Sequence, residues 1–342
     1  MVTSKDWMMM ISAVVLAGLL AGCVPIQRPA DVAGAPPAAD MVDGLPVANQ
    51  LVSAVTAVAE PGLYTQAIDA TPDLAAEWIY FTGAMDAGGG VFRAPAGGGE
   101  TVAVLSGAAW APMGIAMALD GEALWVTDTA TEMAPGLMGA LWQAPVSGAQ
   151  PMVVDATIGW QPSGVEVGML DGEEWVVMSA REPVSGEAAV VALPAAGGEP
   201  VVIASGSPLV EPSGLAIAGD GAVYVVDKAA GAGGSGAVFR MQNGEISLIA
   251  EGFQTDVLIA GIALTEDGGA LLISSLTADR SRAQVLVIVL ASGDKLIVNK
   301  VIGENQGAGG LHKAHAANVF AWADSQAPIR NGSCCRVYNV QP

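Results

Sequence analysis

From about residue 50 onward the chain is written in short apolar runs of strand length, each bounded by Gly, Pro or an Asp-Gly pair. "PMGIAMALDGEALWVTD" at 112–128 and its near paraphrase "PSGLAIAGDGAVYVVD" at 212–227 display the unit. Each has an apolar strand after glycine, a tight turn, and a second strand with a large residue near its start. Gly followed by an apolar residue recurs at Gly62, Gly114, Gly164, Gly214, Gly261 and Gly310, at intervals of 52, 50, 50, 47 and 49. A fixed period of this size indicates stacked supersecondary units. Pro112, Pro162 and Pro212 stand two residues before their glycines and fix the entry of the chain into the strand.

The turns Asp120-Gly121, Asp171-Gly172, Asp220-Gly221 and Asp267-Gly268 separate alternating apolar runs, a strong hairpin signal because both residues tolerate positive φ. The large position is filled in turn by Tyr80, Trp125, Trp175, Tyr224, Leu272 and Phe320, which reads as core. Third strands follow, such as Gly90-Val91-Phe92-Arg93 and Gly236-Ala237-Val238-Phe239-Arg240, with a sixth copy at Gly332-Ser333-Cys334-Cys335-Arg336. Fourth strands come after Gly-rich turns, as in Thr101-Val102-Ala103-Val104-Leu105, but the sixth unit lacks one. Residues 51–58, Leu-Val-Ser-Ala-Val-Thr-Ala-Val, have the phase of a fourth strand. They are predicted to pair with the strand near Arg336 to Val340 and close a ring, which protects a sheet edge. The fold class is therefore all-β, a six-bladed β-propeller of four-stranded blades over residues 49–342.

Composition changes the picture at the N-terminus. Lys5 precedes an apolar run from Trp7 to Leu20, then Leu20-Ala21-Gly22-Cys23, which predicts a signal peptide over 1–22 with lipid carried by Cys23. The run is short for a bilayer span. This segment resembles the lipobox of bacterial lipoproteins and implies a lipid-anchored, extracytoplasmic place in the cell envelope, at an outer membrane or cell surface. Residues 23–48, rich in Ala and Pro, read as a disordered tether. Although 52% of residues are hydrophobic and mean hydropathy is +0.49, the longest later apolar run, Val285 to Ala291, has only strand length.

The formal net charge of -21 argues against a nucleic-acid partner, since 13 basic residues are scattered among 34 acidic ones. With Cys23 assigned to lipid, the adjacent Cys334 and Cys335 read as small apolar strand residues, a strained vicinal bridge being the alternative. Asn331-Gly332-Ser333 fits a glycosylation pattern, to which a bacterial lipoprotein gives little weight.

The units quoted above resemble the strand-turn-strand phrase of NHL-repeat and YWTD-type propellers, and more distantly gluconolactonase-like and streptogramin-lyase propellers. "GGVFRAPAGGGETVAVL" is similar to the third and fourth strands of such bacterial proteins. The resemblance spans roughly residues 50–342 and implies the fold; members include protein-binding modules, hydrolases and lyases, so it leaves activity open. Metal-dependent members place carboxylate, Asn or His ligands around the tunnel mouth. Their Pro-Asn-Gly phrase is replaced here by Met113, Ser163 and Ser213, so no catalytic assignment carries over.

The second position after each repeat glycine reads Tyr64, Ala116, Glu166, Ala216, Ala263 and His312. Glu166 and His312 belong to units three and six, on opposite sides of a six-bladed ring, and each is expected to be satisfied by backbone and water. Under a catalytic reading Glu166 serves as base or ligand and His312 as ligand or acid, with His315 or Asp256 contributing from nearby loops. Asp128, Asp227 and Asp324 are expected to tie strand ends to backbone. There is no Gly-x-Ser-x-Gly elbow, no phosphate loop and no Cys/His cluster with metal spacing. The leading expectation is a non-catalytic module binding a protein, glycan or small-molecule ligand, with no cofactor. The alternative is a hydrolase or lyase using a divalent cation at the tunnel mouth.

Overall fold

The structure, a computed structural model, describes residues 41–59, 62–107, 110–298, 307–325 and 336–341. The signal peptide, Cys23, the Asn331 pattern and the Cys334-Cys335 pair lie outside the described residues. Six four-stranded antiparallel sheets and one two-stranded hairpin make up the sheet structure of the described residues. Each sheet is a blade. The inner strands are Gln66–Pro72, Pro112–Met117, Val165–Leu170, Pro212–Ile217, Ile262–Leu264 and Leu311–Lys313. Blade six takes its outer strand from the other end of the domain: Ala54–Ala59 pairs antiparallel with Val337–Gln341, Ala57 opposite Tyr338. The predicted ring closure is observed.

Six apolar clusters, one between each pair of neighbouring blades, form the core. Trp322, Phe81, Phe92 and Phe320 are its largest fully buried side chains. Trp125, Tyr224 and Leu272 face the inner-strand alanines Ala116, Ala216 and Ala263 across each blade. Trp175 does not hold the equivalent place. Val177 lies opposite Glu166, and Trp175 is two residues farther out, opposite Gly168.

Other details depart from the sequence reading. Residues 41–46, assigned to the tether, form a small hairpin of Met41–Val42 with Leu45–Pro46, turning at Asp43 and Gly44, both with positive φ. Val42 and Leu45 pack against the cluster between blades four and five, which explains why a segment of weak pattern is ordered. The third strand of blade six is Val337–Gln341, with Val340 opposite Phe320, and residues 332–335 of the predicted copy lie outside the described residues. Of the four Asp-Gly turns, only Asp171-Gly172 has positive φ at both residues. At the others the Asp carboxylate accepts an N–H two residues on, as Asp120 does from Glu122 at 2.8 Å and Asp267 from Gly269 at 2.9 Å.

Because all inner strands run the same way, the two faces of the ring differ in their connections. One face carries the tight turns that join first to second and third to fourth strands. The other carries the loops that join second to third strands and one blade to the next. These are the turn face and the loop face.

Candidate functional site

The axis is built first from what is missing. A Cβ on Gly164 would fall 2.2 Å from Ser213 O, on Gly214 2.4 Å from Ala260 O, and on Gly261 2.0 Å from Leu311 N. The repeat glycines therefore mark where neighbouring inner strands touch, and any side chain there would force the blades apart.

A hydroxyl belt joins the same strands. Gly114, Gly164 and Gly261 donate their N–H groups to Thr127 Oγ1, Ser179 Oγ and Ser274 Oγ on the second strands of their own blades, at 2.7, 2.8 and 2.7 Å. Those hydroxyls donate onward to carbonyls of the next blade: Ser163 at 2.5 Å, Ser213 at 2.6 Å and Gly309 at 2.6 Å. Blade one follows the rule with an unexpected residue. There the N–H reaching the second-strand hydroxyl, Thr82 Oγ1, belongs to Asp69, at 3.2 Å, and Thr82 donates to Met113 O at 2.5 Å. Asp69, not Gly62, is the blade-one counterpart of the repeat glycine. Tyr64 accordingly is no axis residue; it is buried against Phe81 and Phe92.

One carboxylate thus stands in a ring of glycines, and it organises the centre. Asp69 is fully buried; its Oδ1 accepts the Ala70 N–H at 2.8 Å and its Oδ2 the Ile115 N–H of blade two at 3.0 Å. His312 donates from Nε2 to Asp69 Oδ2 and from Nδ1 to Glu166 Oε2, both at 3.1 Å. Glu166 Oε1 accepts the Val167 N–H at 2.9 Å. The expectation that Glu166 and His312 stand apart is corrected: the small inner-strand residues leave a tunnel narrow enough for one imidazole to bridge blades one, six and three.

Electrostatics follow from this geometry. Burial alone would push the His312 imidazole down, but the Asp69 and Glu166 carboxylates override it and raise the pKa to about 10. Burial acts to raise Glu166, and the His312 contact outweighs it, so that carboxylate is held below its ordinary value. The centre is an Asp-His-Glu chain in which both imidazole nitrogens donate to carboxylates, one from blade one and one from blade three. This also explains the poor fit to a metal: both imidazole nitrogens are engaged. No group of three or more His, Cys, Asp or Glu side chains among the described residues is arranged to hold an ion.

Above this chain, on the turn face, opens a cavity of about 330 Å³ with Glu166 in its lining. Lys313 and His315 line it from blade six, and Thr265, Glu266 and Asp267 from blade five. His315 reaches over the mouth to blade two, its Nε2 3.0 Å from Met117 O. Asp256 is not part of this site. It precedes the inner strand of blade five and so lies at the loop face, where its Oδ1 accepts the Leu258 N–H at 3.0 Å. The three strand-end carboxylates are buried and hold the chain entering the inner strands. Asp128 accepts from Ala111, Asp227 from Val210 and Glu211, and Asp324 from Gly307.

Asp69 is the residue that sequence reasoning misses. One signal marks it, a lone acid inside the apolar run Ala67-Ile68-Asp69-Ala70.

The sequence matches no family description and no curated protein. Solved structures are similar in fold. A chain of the nidogen/laminin complex aligns with a TM-score of 0.56 at 16% identity, over 72% of this chain and 85% of that one. A gluconolactonase from Xanthomonas campestris aligns with a TM-score of 0.56 at 17% identity, over 82% and 88%. TolB from Acinetobacter baumannii aligns with a TM-score of 0.52 at 14% identity, over 83% and 65%. At these identities the likeness is one of architecture, and the chain has the six-bladed propeller fold of these proteins.

Proposed function

We propose that the protein is a lipid-anchored, extracytoplasmic binding module that holds a small polar ligand, or a polar group of a partner, in the turn-face mouth lined by Glu166, Lys313 and His315. The observation that carries this reading is the fully committed Asp69-His312-Glu166 chain. A general base or metal ligand needs a free lone pair facing the substrate, and the imidazole, donating from both nitrogens, has none. The centre then serves as a rigid, charged floor beneath a recess of mixed polarity. Anchoring rests on the segment ending at Cys23, and the acidic surface supports a site exposed to solvent and not one pressed on anionic lipid.

Thermal unfolding of the full chain tests the reading, first with chelator, then with calcium, magnesium, manganese or zinc, then with panels of sugars, amino acids and peptides. A ligand of the folded state raises the midpoint, by about 2.7 kcal/mol of stability at a hundredfold excess over its dissociation constant. The binding reading expects a rise with an organic ligand that Lys313→Ala or His315→Ala abolishes. A cation-specific rise lost in Glu166→Gln would overturn it in favour of a metal-dependent hydrolase or lyase.

A further inference from the structure

The two faces of the ring differ in chemistry as well as in connections. On the loop face, Val184 is 93% exposed and Val257 75% exposed, with Val210, Leu63 and Leu137 also exposed. The three valines lie on one arc over blades three to five, and basic side chains brace their loops. Arg181 Nη2 donates to Val210 O at 3.3 Å, Lys228 Nζ to Val257 O at 2.7 Å, and Arg280 Nη2 to Thr255 O at 2.9 Å. The arc mixes these cations with carboxylates such as Glu182, Glu211 and Asp279. On the turn face, Asp73, Asp120, Asp171, Asp220, Glu266 and Asp267 sit in the turns with Lys313 and Arg240, the latter paired with Asp220 at 3.2 Å.

The first hairpin is fastened to the loop face. Asp43, at its tip, accepts the Ala278 N–H of the blade-five loop at 2.8 Å through Oδ2. Cys23 precedes Met41 by 18 residues, a reach of at most about 60 Å even when fully extended.

From these observations we infer that the loop face is a membrane-docking surface. The Val184, Val210 and Val257 tips rest in the headgroup region of the bilayer, and the turn-face mouth opens away from it. The inference rests on the lipid anchor proposed at Cys23. Exposed apolar tips beside Arg and Lys are the pattern of an interfacial contact, which adds a second, weak attachment to a lipid chain. Anchor and apolar fringe thus favour one orientation.

The test uses the full chain extracted from membranes, with Cys334→Ser and Cys335→Ser, and mass spectrometry to read acylation of Cys23. Single cysteines are introduced by Val184→Cys or Val257→Cys on the loop face and by Glu122→Cys or Glu199→Cys on the turn face. Each is labelled with an environment-sensitive fluorophore and reconstituted on phosphatidylethanolamine/phosphatidylglycerol vesicles containing spin-labelled lipid. Docking predicts blue-shifted, quenched emission at 184 and 257 and neither effect at 122 and 199. With Cys23 acylated, equal emission at all four sites, or quenching on the turn face, overturns the docking surface and leaves the anchor standing. If Cys23 carries no lipid, the anchor falls. The same probes read on externally added vesicles then decide the surface separately, with unquenched emission at 184 and 257 overturning it.

Discussion

A methyl group added to Gly310 would fall 1.5 Å from Oδ1 of Asp69. The two residues hold equivalent places in adjacent blades, and one must be bare so that the other can be charged. Gly310→Ala is therefore expected to destabilise the ring by about 3 kcal/mol or more, the upper end of overpacking costs. Gly261→Ala, which meets backbone at 2.0 Å, should behave alike. Gly62→Ala, with nothing within 4 Å, should shift the denaturant midpoint negligibly.

His312 sets an alkaline limit. Its pKa is raised from 6.5 to about 10, so its contribution to stability is complete below pH 6.5 and is lost as pH climbs toward 10. Glu166 is lowered from 4.5, so its contribution is present above that value and is lost as pH falls through its folded value. Denaturant midpoints measured against pH should show both limbs. His312→Gln should remove the alkaline limb and cost about 3 to 5 kcal/mol near neutrality, because the buried Asp69 and the partly buried Glu166 lose their shared partner.

The hydroxyl belt gives a third expectation. Ser274→Ala strips a partner from the Gly261 N–H and from the Gly309 carbonyl and should cost about 1 to 3 kcal/mol. Ser292→Ala, whose exposed hydroxyl meets only Asp294, should cost less than about 0.5 kcal/mol. Thermal midpoints of the two variants decide whether the belt holds neighbouring blades together.

Removing Ala54–Ala59 exposes the edge of Val337–Gln341. The shortened chain should unfold at lower temperature and self-associate through that edge, as size-exclusion chromatography would detect. A monomer with an unchanged midpoint would contradict the closure.

Much of the fold could be read from particular residues. Pro112 and Pro212, with the glycines that follow them, located inner strands, and Asp-Gly pairs located the turns, because these residues answer to local backbone geometry. Blade one was misphased for the same reason. Gly62 imitates the repeat phrase, while Asp69 occupies the true position with a residue that no local rule places there. The site was legible only in its members. Glu166 and His312 stand out as polar among small residues, but their contact depends on the width of the tunnel, which six blades set together. His315 was named as a contributor from a nearby loop, but its contact with Met117, across two blade boundaries, depends on the closed ring.

Closure by the strand Ala54–Ala59 has a consequence in time. Ser53 donates to the Gln341 carbonyl across 288 residues of chain, close to the greatest separation the domain contains. The first blade strand made must stay unpaired while five blades are synthesised, and it finds its place only after the final residues of the sheet emerge. Such distant pairings are slow to form. Until the ring shuts, blade six offers two open edges, so newly made chains are most exposed to one another just before folding is complete.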